Sequence, residues 1–147
     1  AYKVLIQELD GLYDYIIFDC RPAVDNEIAQ IMRAVQYLMI PVNAADDSVD
    51  GVDTVLGYAS KIRHANPDLC VAGIFFEAVN MRTAVAHDYV PQIRAKYAPL
   101  ILETNVPHSE DAHKAESRHL PVTEAYPSGK ATRAYSKLVE EVLTRIG

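Results

Sequence analysis

Short unbroken apolar runs alternate with amphipathic stretches along the whole chain, and that alternation constrains the fold more than any other feature. The runs are residues 15–20 (YIIFDC), Tyr37–Val42 (YLMIPV), residues 69–78 (LCVAGIFFEA) and residues 100–106 (LILETNV), the last closed by Pro107. A short run without polar alternation is what a strand covered on both faces requires. Between the runs lie helical patterns. Residues 26–36 place Ile28, Ile31, Met32 and Val35 at helical spacing, and residues 49–65 align Val52, Val55, Leu56, Ala59 and Ile62 behind Ser48 as N-cap. Residues 83–97 form a third helix with Thr83 as its cap. Residues 131–146 turn Tyr135, Leu138, Val139, Val142 and Leu143 toward a core.

Four strand–helix units at this spacing predict an α/β fold, a mostly parallel sheet flanked by helices on both faces. No linker, low-complexity tract or internal repeat divides the sequence, so residues 1–147 are expected to form a single domain. Half of the residues are apolar, enough for a full core. Residues 4–12 carry Leu5, Leu9 and Leu12 at helical spacing, like the tail of a helix, and the first strand of the sheet is expected to be absent from the chain. Residues 109–119, rich in His and acids, read as a solvated loop.

Cys20 and Cys70 sit in apolar runs, the usage of buried thiols in a reducing cytosol. No stretch of about 18 uncharged apolar residues occurs, so no membrane-spanning helix is expected, and no basic-then-apolar leader opens the chain. The net charge of −6 argues against a surface coated with DNA-binding cations but leaves room for a local patch.

In open α/β sheets ligands bind beyond the carboxyl ends of the strands. Asp19 ends the first apolar run, where a carboxylate could hold a Mg²⁺-bound water against nucleotide phosphates. Asn80, with Arg82 and Thr83, follows the third run. An Asn amide both donates to and accepts from an adenine edge, although a turn former would also be Asn. Pro107 and His108 follow the fourth run. Arg21 suits either a phosphate or a local ion pair. Asp46, Asp47, Asp50 and Asp53 complement a helix start. His108, His113 and His119 match no metal-ligand spacing. Lys130, Arg133 and Lys137 share one helix face, which suits DNA phosphates or plain solvent.

Taken in order, these segments resemble the ParA family of P-loop partition ATPases, which includes the Soj and MinD-like proteins. Residues 13–22 (YDYIIFDCRP) resemble the family's acidic strand, YDYIIIDCPP, and Pro41-Val42 its IPV. Gly51 stands where the family opens the following helix. Ala72-Gly73-Ile74 with Asn80-Met81-Arg82-Thr83 resembles its GIL…D-x-RT segment, and Val106-Pro107, Ala115, Pro121-Val122 and Ala134-Tyr135 follow its C-terminal third. The resemblance covers nearly the whole chain.

It implies a P-loop NTPase-like fold whose N-terminal strand and phosphate-binding loop are absent here. That loop, KGG-x-x-K-[ST], cradles phosphates with backbone amides, and the six glycines of this sequence never cluster. The resemblance further implies ATP and Mg²⁺ as cofactors of the complete protein. Asp19 would be the catalytic, magnesium-side acid, acting through water, and Asn80, Arg82, Pro107 and His108 would lie near the base. Lys130, Arg133 and Lys137 would touch non-specific DNA. It implies an ATP-dependent homodimer, a centromere-binding partner of ParB type, and a cytoplasmic, nucleoid-associated role in plasmid or chromosome partition without membrane attachment. Arg21 replaces the first Pro after the acid, Asn80 the more usual Asp, His108 an Arg and Lys114 a Glu. Such departures fit a divergent ATP hydrolase, with this chain alone inactive. They also fit a non-catalytic interaction module, while a MinD-like membrane-surface regulator lacks the expected amphipathic extension after Gly147.

Overall fold

The computed structural model describes residues 1–21, 23–43 and 48–147, Ser48 by its backbone alone. Asp46 and Asp47, with the cap role expected of the Ser48 side chain, lie outside the described residues. The elements are α1 (Tyr2–Leu9), α2 (Asn26–Met32), β1 (Tyr37–Val42), α3 (Ser48–Ile62), β2 (Cys70–Phe76), α4 (Ala84–Lys96), α5 (Glu110–Ser117), α6 (Val122–Ala125) and α7 (Lys130–Ile146). This is an α/β fold with a parallel sheet and flanking helices. The chain packs as two compact units, one of residues 1–38 with 50–70, the other of residues 39–49 with 71–147.

In the first unit, Asp25 caps α2 by accepting from the amides of Glu27 and Ile28 at 3.0 and 3.1 Å. The helix lays Ile28, Ala29, Ile31 and Met32 against Ala59, Ile62 and Leu69 to form the core. Asn66, buried, closes the far end of α2 by donating to the carbonyls of Met32 and Val35 at 2.9 and 2.8 Å. Those carbonyls would otherwise be left without partners at the helix terminus.

The strand expected over residues 15–20 does not form. The segment is held on the core through Phe18, which meets Tyr2 edge-on at 5.6 Å. Tyr15 and Ile17 face solvent, Ile17 with 88% of its surface exposed. An apolar run becomes a strand only where a neighbour completes its hydrogen-bond ladder, and no described residue does so here. Both cysteines are likewise exposed rather than buried. Cys20 stands on this unladdered segment, and Cys70 is the first residue of β2, at the strand's edge rather than in its buried stretch.

The second unit holds most of both strands, with Ile74, Phe76, Ile93 and Leu102 among its fully buried side chains. The fourth expected strand is reduced to two parallel bridges, Ile74↔Ile101 and Val79↔Pro107. Between them the backbone is diverted. The amides of Glu103 and Thr104 donate to the Glu141 carboxylate on α7 at 2.6 and 2.9 Å. The carbonyls of Leu102 and Glu103 accept from Arg94 on α4, which also reaches Asn105 Oδ1 at 2.6 Å and lies over the Phe76 ring. Charged side chains from two helices therefore take the groups that a ladder would use.

Residues 109–119 are not a loop. They contain α5, whose first turn carries Glu110 and Asp111 and whose last turn carries Lys114, the polarity a helix dipole favours. The helix closes with His119 in the left-handed region at φ 54°, where the amides of His119 and Leu120 return to the carbonyls of Glu116 and Ala115. On α7, Tyr135, Leu138 and Val142 pack on the core with Leu102 and Val106, as the spacing predicts. Val139 and Leu143, expected to face inward, are exposed, because the buried stripe of α7 is narrower than its apolar pattern.

Candidate functional site: a cleft beyond the strand ends

A cleft of about 680 Å³ opens in the second unit beyond the carboxyl ends of β1 and β2. Its floor comes from Pro41, Val42 and Asn43 after β1 and from Glu77 and Ala78 after β2. One wall is Val106, Pro107 and His108, and another is built from α5 and from Tyr135 on α7. The volume lies in the range of small-ligand sites. Ala78 adopts φ 52°, a conformation that costs a β-carbon-bearing residue about 1–2 kcal/mol. This turn leads Val79 into its bridge with Pro107, where the Val79 amide donates to Val106 and the His108 amide to Val79, both at 3.3 Å.

The Tyr135 hydroxyl donates to Glu77 Oε1 at 3.1 Å. Burial, and then the Glu77 charge beside it, push the phenol up to about 12. The His108 and His113 rings lie 5.3 Å apart, and His113 Nδ1 is 3.8 Å from Glu116 Oε2. Among the described residues no group of three or more His, Cys, Asp or Glu is arranged to hold a metal ion.

Pro107 and His108, expected at the base of a nucleotide, line this cleft. Asn80 follows Val79, the bridge partner of Pro107. Its side chain turns back to accept from the Arg82 amide at 3.1 Å, the geometry of a turn former, and Arg82 is exposed. Thr83 caps α4, accepting from the Ala86 amide at 3.1 Å. Asp19 is exposed in the first unit, where the neighbouring Arg21 pairs with Asp25 at 2.5 Å and Glu27 at 3.3 Å. Lys130, Arg133 and Lys137 are exposed on one face of α7, with Arg133 also donating to the Ser128 carbonyl. Sequence reasoning passed over Glu77. The signal was present, since Glu77 ends an apolar run just as Asp19 does.

A family model described as an AAA domain (AAA_31) matches residues 1–71. The chromosome-partitioning ATPase Soj of Treponema pallidum is 25% identical over 146 residues, covering 99% of this chain and 58% of that protein. Over nearly its whole length the chain is similar to the ParA/Soj partition ATPases. Soj of Thermus thermophilus is 26% identical over 93% of this chain and 55% of its own length. The crystal structure of the Pyrococcus furiosus cell division ATPase MinD superposes with a TM-score of 0.79 at 18% identity, covering 97% of this chain and 57% of that one. The ParA/Soj-like chain thus spans little more than half the length of these relatives, and its fold is that of the MinD structure. No described helix is long and apolar enough to cross a membrane.

Proposed function

We propose that this chain is the C-terminal part of a ParA-type partition ATPase that, when complete, binds ATP with Mg²⁺ and non-specific DNA. The observation that carries the reading is the cleft beyond the carboxyl ends of β1 and β2, walled by Pro107 and His108. It is the position where α/β sheets take their ligands. The residues present suit the base and sugar rather than the phosphates. Among the described residues the cleft lining has apolar walls and two carboxylates, Glu77 and Glu116, with no Lys or Arg. Phosphates would require a cradle of amides and cations.

Asp19 is assigned to the water shell of Mg²⁺, with Asn80, Arg82, Pro107 and His108 around the base. Lys130, Arg133 and Lys137 are assigned to DNA phosphates. A centromere-binding partner of ParB type, an ATP-dependent homodimer and a nucleoid-associated role in plasmid or chromosome partition complete the reading. The Soj relatives, named as chromosome-partitioning ATPases, support it.

Calorimetry with ATP and Mg²⁺ tests it, run on the 147-residue chain and on the longest product its gene encodes. Binding by the longer product is expected. Absence of binding by either would replace the ATPase with a non-catalytic ParA-like module, and tighter binding by the short chain would displace the phosphate site.

A further inference from the structure

We infer that Glu141 on α7, which lines no part of the cleft, is a positioning residue that sets the Val106–His108 wall by holding a bulge ahead of it. The inference rests on the nucleotide reading above and deepens it. Its basis is a break in register. The Leu102 amide donates to the Ile74 carbonyl at 2.8 Å, and the next amide of this run to reach β2 is that of Val106, donating to the Phe76 carbonyl at 2.8 Å. Two positions along β2 are thus matched by four along the facing run, which carries two extra residues. In an unbroken parallel ladder the Thr104 amide would take the Phe76 carbonyl. Instead the amides of Glu103 and Thr104 go to the two separate oxygens of Glu141. Arg145, one turn further along α7, fixes the run ahead of the bulge through the carbonyls of Leu100 and Ile101 at 3.2 and 2.8 Å. All these residues belong to the second unit.

The hydrophobic pattern does not oppose the unbulged register. Side chains alternate with a period of two, so a slip of two residues leaves each on its own face. Such a slip would bring Thr104 to the place where Val106 meets Phe76, and it would carry Pro107 and His108 about 7 Å along the strand, out of the wall. The two charge-assisted bonds to Glu141 exist only in the bulged register and therefore select it. Tyr135, on the same helix, lines the cleft directly. One helix thus sets two sides of the site.

Affinity for Mg-ATP is measured by calorimetry on the complete protein, as wild type, Glu141→Gln and Asn66→Ala. Glu141→Gln turns one of the two accepting oxygens into a donor, and ATP affinity is expected to fall about tenfold. Asn66→Ala loosens the first unit instead, and should stay within about twofold of wild type although its urea midpoint also falls. Unchanged affinity in Glu141→Gln would overturn the inference while leaving the nucleotide reading intact. Equal losses in the two variants would make Glu141 a structural contact alone and overturn it as well. Failure of the wild type to bind ATP would overturn both. A second measurement needs no variant to fold. If the bulge holds the wall for ATP, then ATP holds the bulge by the same factor, so bound ATP should slow hydrogen exchange at the Glu103 and Thr104 amides about tenfold. Neither residue lines the cleft, and exchange there that ignores ATP would overturn the inference.

Discussion

Gly73 on β2 lies directly against the side chain of Leu102, so closely that a β-carbon at Gly73 would sit 2.7 Å from Leu102 Cγ. Leu102 is fully buried and cannot retreat toward solvent. Gly73→Ala should therefore destabilise the protein by about 1–3 kcal/mol, the usual cost of overpacking a filled core. The urea midpoint reports it. Combining Gly73→Ala with Leu102→Ala should recover part of the loss relative to additivity, and strict additivity would show that the two sites do not meet.

Asn66 makes a prediction for the other unit. Its amide is the partner of two carbonyls at the end of α2. Asn66→Ala leaves them unsatisfied in a buried place and should cost about 1–3 kcal/mol. A loss of only a few tenths in urea unfolding would mean that water takes over both bonds.

Glu141 gives stability a pH dependence. Partial burial pushes its carboxyl up, but the amides of Glu103 and Thr104 and the Arg145 charge outweigh that, so it lies below its ordinary 4.5. A carboxyl depressed in the folded state stabilises it above the unfolded value, and the contribution fades as pH falls from there through the folded value. Urea midpoints of the wild type should therefore drop below the ordinary value, with a shallower drop in Glu141→Gln. Parallel curves would show that Glu141 is not linked to folding.

For the basic face of α7, changing Lys130, Arg133 and Lys137 together to Ala should weaken DNA binding by the complete protein. The slope of log affinity against log salt should flatten by about 0.9 for each phosphate that is no longer neutralised. The same slope before and after would take this face out of the interface.

Asp19→Ala in the complete protein should abolish ATP turnover while the thermal transition stays near that of wild type, since Asp19 is exposed. Full turnover in this variant would remove Asp19 from the magnesium site.

What could be read from the sequence were the features set by local pattern. β1 occupies the predicted Tyr37–Val42, Thr83 caps α4 through its own hydroxyl, and α7 begins one residue before the predicted start. Periodicity and capping act within a few residues of chain, so composition and spacing suffice for them. The order of motifs likewise carried the likeness to ParA/Soj partition ATPases, because spacing along the chain is itself a sequence property. Tertiary structure decided what depends on distant partners. Residues 15–20 have strand composition but no ladder neighbour among the described residues. Residues 103 and 104 lose their ladder to Glu141 and Arg94, which lie on other elements. The cleft follows the same rule. Pro107 and His108 were legible as residues after a strand, whereas the pairing of Glu77 with Tyr135 spans 58 positions and exists only once α7 has packed. A hydrogen bond between residues so far apart leaves no local pattern, and only the folded chain brings its two halves within reach.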